Sequence, residues 1–377
     1  MSAKHEEEKY MPSPLDQISI KGYKSIKELI DFPLKPLNIL IGANGAGKTN
    51  FISFFNLLNQ IVQNKLQVSI AQSGGANSYL YFGQKITPEI KIRLAFGRNS
   101  YQCTLVPAAG DTLIFSNELI WYHDQARYSK PLEVGLSGGQ KETRLHEESH
   151  KRQAITIADY VIGAIRSWRV YHFHDTSASA KIKQQGDVND NLMLRPDASN
   201  LAAYLYLLRE TENDHYRKIV STIQLVAPFF DDFSLRPNPL NLENIRLEWM
   251  EKGSDSYFNA QSLSDGTLRF MCLATLLLQP NLPSTIIIDE PELGLHPYAI
   301  TVLASLLKSV SQKTQVVVST QSVPLVNQFM PEDIVVVDRK EGQSTFERRT
   351  EKDLENWMDD YGMGDLWEKN LLGGRPR

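Results

Sequence analysis

Cysteine is nearly absent from this 377-residue chain: Cys103 and Cys272 stand far apart, with no CxxC pair. That excludes a disulfide framework and the usual cysteine zinc sites, and it suits a reducing cytosol. Long apolar runs are missing too. The stretch "FMCLATLLLQP" from Phe270 stops at Pro280 and reads as a buried helix, not a membrane span. The opening MSAKHEEEKYMPSP has no apolar core of the kind a signal peptide needs, so a cytoplasmic protein without a membrane partner is expected. An excess of one charge sign is lacking as well. Lys plus Arg number 40 and Asp plus Glu 44, a formal charge of −4, which argues against a chain held on nucleic acid by charge over its whole surface. No internal repeat or low-complexity tract occurs. What remains, 42% hydrophobic and 22% charged residues, is the composition of a globular chain long enough for one large or two to three ordinary domains.

The pattern along the chain alternates between strand and helix. "DQISIKGYKSI" alternates apolar and polar residues as a strand does, and "PLNILIGANGAGKTNFISFFNLLNQIV" reads strand, glycine loop, helix. Glu89 to Tyr122 is β-rich. Lys141 to Trp168 is charged and helical, and "ASNLAAYLYLLRETENDHYRKIVSTIQLV" is a second long helical stretch with Ser199 or Asn200 as cap. "TIIIDEP" and "QVVVSTQS", joined by "HPYAITVLASLLKSV", form a parallel β-α-β unit whose almost wholly apolar strands are expected to be buried on both faces.

The strongest motif is Gly42-Ala43-Asn44-Gly45-Ala46-Gly47-Lys48-Thr49, followed by Asn50. It fits GxxxxGK[ST] and lies between an apolar strand and a helix, as that motif requires. Glycines let backbone N–H groups curl round phosphate oxygens, and the helix start adds its dipole. Lys48 is expected to reach the β- and γ-phosphates of ATP, and the Thr49 hydroxyl to ligate Mg²⁺. In "TIIIDEPELGLHP" an apolar strand runs into Asp289 and Glu290. Two acids at the end of a buried strand are costly unless a cation or a proton transfer uses them. Asp289 is expected to hold Mg²⁺ through water, and Glu290 to polarise the attacking water.

Two pentapeptides compete as the signature of an ABC-type ATPase: "LSGGQ" at Leu136–Gln140 and "LSDGT" at Leu263–Thr267. The signature opens a helix that leads, after a short loop, into the strand with the paired acids. From Ser264 to Asp289 there is room for a helix of about four turns, and Leu268, Met271, Cys272, Thr275 and Leu276 follow helical spacing. Ser264, Asp265 and Gly266 therefore form the expected signature. "LSGGQ" runs into charged sequence and reads as a glycine turn before a surface helix. "HEESH", His146 to His150, fits HExxH, but it lies in a stretch charged nearly all round and reads as a solvated helix. Arg166, Arg169, Lys181 and Lys183, interleaved with Trp168, Tyr171 and Phe173, form a candidate DNA or RNA patch, weighed against an ordinary helix and strand edge.

With these motifs placed, the chain resembles an ABC-type ATPase of the RecF/SMC and OLD kind, within the AAA-family ATPases of bacterial defence and DNA-repair loci. "ISIKGYKSI" resembles the opening strand and turn of those proteins, which implies that Tyr23 and Lys24 approach the nucleotide. "DEPELGLHP" resembles their Walker B and D-loop, with Leu295, His296 and Pro297 in the D-loop, and "VVVSTQS" resembles the switch strand, with Gln321 where histidine is usual. "GDLWEKNLLGGRP" resembles the family's closing segment. Gln84 in "LYFGQK" is the candidate Q-loop residue near the metal. The implied fold is α/β: a P-loop NTPase, an ABC-type ATPase head with an antiparallel β subdomain and a mainly helical insertion. Its expected parts are a disordered tail 1–14, an N-terminal lobe 15–135, the insertion 136–240, a C-terminal lobe 241–340 and an extension 341–377. Residues 322–377 are too few for the nuclease domain of OLD proteins. The resemblance implies an ATP-dependent homodimer or higher oligomer with composite sites. It would act as a switch on a separate effector, a nuclease or toxin, with DNA or RNA as a further candidate partner. The alternative is a slowly hydrolysing scaffold that restrains a toxic partner.

Replacing Ser264 with Arg is expected to leave ATP bound to separate subunits and remove hydrolysis. Ser137→Arg should leave association and turnover intact, at a cost within about half a kcal/mol. Light scattering with and without ATP, beside phosphate release, measures both. If Ser137→Arg is the damaging change, "LSGGQ" is the signature.

Overall fold

The computed structural model describes residues 14–151, 155–354 and 361–374, so all of the expected tail except Pro14 lies outside the described residues. An antiparallel sheet of order β2-β1-β4-β5-β6-β7 is built from β1 (Gln17–Tyr23), β2 (Ile26–Pro33), β4 (Ile90–Phe96), β5 (Asn99–Ala108), β6 (Thr112–Tyr122) and β7 (Leu132–Gly135). The central sheet has the order β18-β17-β3-β16-β15-β8. Its strands β3 (Leu37–Ile41), β8 (Trp168–Tyr171), β15 (Thr285–Asp289), β16 (Gln315–Thr320) and β17 (Ile334–Lys340) are parallel, and β18 (Gln343–Arg348) returns antiparallel at the edge. Two small sheets complete the fold. One is β10 (Phe230–Phe233), β13 (Glu248–Glu251) and β14 (Tyr257–Asn259); the other is β9 (Gly186–Asp187), β11 (Pro237–Asn238) and β12 (Asn241–Ile245).

The apolar strands are explained by what covers them. Ile39, Ile41, Ile286, Ile288, Val316 and Val318 face a cluster shared with helices Leu201–Thr211, Asn213–Val226, Asp265–Leu278 and Pro297–Ser311. The alternate residues Leu40, Ile287 and Val317 face the helix Lys48–Val62 and the antiparallel sheet. Successive side chains of a strand point to opposite faces, so a strand covered on both must be apolar throughout.

Three expectations change. The 136–240 segment is not set apart from the ATPase core: β8, inside it, hydrogen-bonds along β15, and the helix Ile157–Ser167 packs into the same cluster as the helix Lys48–Val62. For the same reason the aromatic members of the proposed nucleic-acid patch are unavailable for stacking. Trp168, Tyr171 and Phe173 are all buried, and Trp168 meets Phe55 edge to face with centroids 5.7 Å apart. The second long helical stretch breaks at Glu212 into two helices. Asn200 stands at the cap position but its amide instead binds the carbonyls of Asp190 and Met193, tying down the preceding loop.

"LSGGQ" is a structural turn against β6. Leu136 N donates to Glu118 O, Gly139 N to Phe115 O, and Phe115 N to Gln140 O. A Cβ on Gly138 would lie 2.3 Å from Ser116 O, so only glycine fits there. Gln140 also helps to satisfy the fully buried Glu118 carboxylate, beside Tyr101, Thr143 and the Arg144 N–H. The "HEESH" helix, Leu145–Ser149, is not simply solvated: the His146 ring Nε2 lies 2.6 Å from Val62 O and fastens it to the end of the P-loop helix. Trp168→Ala should lower the unfolding free energy by about 3–5 kcal/mol, the usual cost of emptying a buried aromatic site. An unchanged urea midpoint would show that this side chain lies outside the core.

Candidate nucleotide-binding site

Strand register assembles the site. The ladder sets Asp289 level with Ser319, and Thr320 level with Ile41, the residue before Gly42. The glycine loop, the paired acids and the switch strand thus end together at the carboxyl edge of the central sheet, where α/β sheets place their ligands.

The loop itself is tightly specified. Gly47 has φ 121°, and a Cβ there would lie 2.0 Å from Ser344 Oγ. Lys48 opens the P-loop helix, and Gly47 at its cap offers no side chain to compete with an anion for the helix start. Lys48 is 5% exposed, and its Nζ donates to Gly42 O at 2.6 Å and Ala43 O at 3.2 Å. Burial pushes this ammonium down, while Glu290, Asp289 and Glu292 act against that shift. Thr49 is exposed beside it and Asn44 and Gly45 face solvent.

On the acid strand, Asp289 accepts from the Ser319 hydroxyl, and its carbonyl lies 2.8 Å from His174 Nε2. Glu290 holds a left-handed backbone at φ 43°, rare for a non-glycine residue and a common mark of functional sites. Its carboxylate accepts a hydrogen bond from the Gln321 amide. Glu292 Oε1 accepts from Thr320 Oγ1 at 2.5 Å and Gln321 N at 3.3 Å, and Oε2 is buried without a partner. Burial raises the Glu292 carboxyl above the ordinary glutamate value of 4.5. Hydroxyl and carboxylate oxygens from Thr49 and Asp289 are hard donors that suit Mg²⁺, and the glycine loop with Lys48 suits a triphosphate.

The expected signature opens the helix Asp265–Leu278. Ser264 caps it, accepting from Thr267 N at 3.2 Å, and Ser264 and Asp265 are exposed. A Cβ on Gly266 would lie 2.3 Å from Gly294 O, so the D-loop rests directly on the signature. Arg269, one turn along, donates to the carbonyls of Phe173, His174 and Leu293, joining the signature helix to the segment after β8 and to the turn that leads into the D-loop. Asp265 pairs with Lys183 at 3.6 Å.

Other expected ligands sit elsewhere. Tyr23 is fully buried, edge-on to Phe54 with its hydroxyl 3.0 Å from Ser53 Oγ, so it supports the P-loop helix from behind. Lys24 reaches Ser53 as well, at 2.9 Å. The Asn50 amide is taken by Ser25 Oγ at 2.7 Å. Gln84 lies in an exposed turn with its N–H on Asn77, and no contact brings it to Thr49 or Asp289 among the described residues. Glu292, Ser25, Ser344 and Gly374 were not anticipated. Glu292 was legible as the third acid of "DEPE"; the other three reach the loop only through tertiary packing.

A parallel sheet with a P-loop, an acid pair on the next strand but one and a capped helix start defines a P-loop ATPase head of the ABC type. The chain belongs to the family described as "AAA domain, putative AbiEii toxin, Type IV TA system", whose model matches residues 37–327. ATP binding and hydrolysis are the chemistry of this class. In fold the chain is similar to the Smc head bound to the C-winged helix domain of ScpA, with TM-score 0.56 and 14% identity over 91% of this chain and 99% of that one. It is also similar to the Smc head domain with an extended coiled coil bound to the C-terminal domain of ScpA from Pyrococcus furiosus, with TM-score 0.53 and 14% identity over 92% and 99%. No curated protein matches the chain.

Glu292 makes a pH prediction. The folded chain binds its proton more tightly than the unfolded chain does. Glu292 therefore favours folding below the ordinary glutamate value of 4.5, and that contribution is lost as pH rises through the raised value. Glu292→Gln should lose less stability than the parent between about pH 5 and 8. Urea midpoints across that range measure it, and parallel curves for the two proteins would refute the assignment.

Proposed function

We propose that the chain is an ATP-gated switch that closes head to tail as a dimer and controls a separate effector protein. The observation that carries this reading is the division of the chemistry between two surfaces. Lys48 of the P-loop and the acids Asp289 and Glu290 at the end of β15 meet at one sheet edge, whereas Ser264 and Asp265 stand exposed at a helix start tied to Gly294 and to the segment after β8. An exposed helix N-terminus is an anion site in want of an anion. In a closed pair the Ser264 hydroxyl and Gly266 N–H of one copy meet the γ-phosphate held by the other, giving two composite sites.

Within each site Lys48 neutralises charge on the β- and γ-phosphates, and Thr49 and Asp289 hold Mg²⁺. Mg²⁺ held by these residues would supply positive charge that offsets the charge of the phosphates. Glu290 takes a proton from the attacking water as its oxygen bonds to the γ-phosphorus and the bond to the β–γ bridging oxygen breaks, giving ADP and phosphate. Gln321, which has no proton to relay, can orient either group by hydrogen bonds. The family description points to toxin-linked systems, which supports an effector of nuclease or toxin kind in defence or DNA repair. One contact favours the second reading, a slowly hydrolysing scaffold restraining a toxic partner: the Gln321 amide already occupies the Glu290 carboxylate, and such a hydrogen bond must be exchanged before Glu290 acts as a base.

Glu290→Gln keeps shape and removes the base. It is expected to bind ATP, hydrolyse it on the order of a hundredfold or more slowly, and accumulate the closed dimer. Phosphate release and sedimentation with ATP test this. Turnover at the parental rate would remove Glu290 from the mechanism, and a monomer at saturating ATP would remove the clamp.

A further inference from the structure

The P-loop is held from beneath by a part of the chain beyond the family match, which ends at residue 327. Three contacts define the support. On β18, Ser344 is 1% exposed; its hydroxyl donates to Ala46 O at 2.5 Å and lies 2.7 Å from Ser25 Oγ, and its N–H donates to Ser25 O at 2.7 Å. Near the end of the described chain, Gly374 O accepts from Ala43 N at 2.7 Å. On β17, Arg339 reaches Gly45 O at 3.5 Å. Ser344 also fills the space that a side chain on Gly47 would need.

Residues 361–374 form a strap with a second end. Its helix Met363–Glu368 is anchored where Gly364 N donates to Asn327 Oδ1 at 2.6 Å. Asn327 closes the short helix Val323–Val326, which Ser322 caps directly after Gln321. Farther along, Leu372 is fully buried, and its carbonyl accepts from Arg349 Nη2 at 2.6 Å. The strap therefore runs from the switch residue's helix to the first turn of the P-loop, spanning both sides of the phosphate site. Its last glycine is closely fitted: at φ 77°, a Cβ on Gly374 would lie 3.0 Å from Val336 Cγ1, 3.2 Å from Val337 O and 3.5 Å from Gly42 Cα.

We infer that this strap, with Ser344, is a positioning element of the nucleotide site, and that its docking and ATP binding are linked equilibria. The inference rests on nucleotide binding at the P-loop. An amide cradle binds phosphate only while its N–H groups converge. Ala43 N–H and Ala46 O are bonded to the strap and to β18, and Ala46 N–H closes on Ala43 O at 3.2 Å, so these contacts hold the loop's curl. Linkage is reciprocal: if a docked strap favours ATP, then bound ATP tightens the strap. Anything that draws the strap away weakens ATP binding by the same factor.

The test uses the full chain. Mg²⁺-ATP affinity is measured by calorimetry for the parent, Gly374→Val and Ser344→Ala, with urea unfolding alongside. Hydrogen exchange of residues 363–374 is followed with and without ATP in the parent and in Lys48→Ala. Ser344→Ala, which removes a hydrogen bond, and Gly374→Val, which displaces the strap, are each expected to weaken ATP binding about tenfold. ATP should slow exchange in the strap of the parent and not in Lys48→Ala, a response that a purely structural strap would not give. Unchanged affinity in the folded variants, or strap exchange indifferent to ATP in a parent that binds it, overturns the inference. If Gly374→Val fails to fold, Ser344→Ala and the exchange experiment decide. A parent that binds no ATP overturns the nucleotide reading, and this inference with it.

Discussion

One charge in a nearly dry place organises this protein. Lys48 is almost fully buried, and an unpaired buried ammonium is expensive. The fold answers with two carbonyls of the loop and with the field of three carboxylates, Glu290, Asp289 and Glu292. Those acids can be there only because β15, β16 and β3 are parallel and in register, so that their carboxyl ends stop at one level. The two-sided burial of the sheet, the apolar strands and the helix layers on both faces follow from holding that edge in place.

The acids themselves are held as a graded set. Ser319 binds Asp289, Gln321 binds Glu290, and Thr320 with the Gln321 N–H binds Glu292, so consecutive residues at the end of β16 address each carboxylate of the neighbouring strand. Any shift of β16 against β15 would disturb all three. The signature helix is coupled to the same region by Arg269, whose guanidinium reaches the carbonyls of Phe173 and His174, just after β8, and of Leu293, just before the D-loop. A guanidinium suits that task because its donors are fixed in a plane and cannot rearrange separately.

Much of this was legible in the chain. The glycine loop between strand and helix, the acids at a strand end and the hydroxyl cap of "LSDGT" before an apolar helix follow from local pattern, as does the glycine turn at "LSGGQ". The misreadings share one cause. Trp168, Tyr171 and Phe173 among basic residues look like a stacking surface, yet strand β8 and the segment just after it carry them into the core. Tyr23 looks like a nucleotide contact, yet it faces inward behind the P-loop helix. Local sequence states which side chains are amphipathic; only the packing partner states which way they turn.

The sequence by itself therefore determined the chemistry: which residues bear charge at strand ends, where glycine is needed beside phosphate, and which helix starts bear a hydroxyl cap. Short-range geometry suffices for these, since loop, strand end and cap are each a few residues long. The tertiary structure alone decided what supports them. Ser344 under Ala46, Gly374 O on Ala43 N and the unpartnered Glu292 oxygen depend on segments hundreds of residues apart, or on burial that no local pattern encodes. Such contacts are set by how layers close on one another, and the free energy that selects them belongs to the whole core.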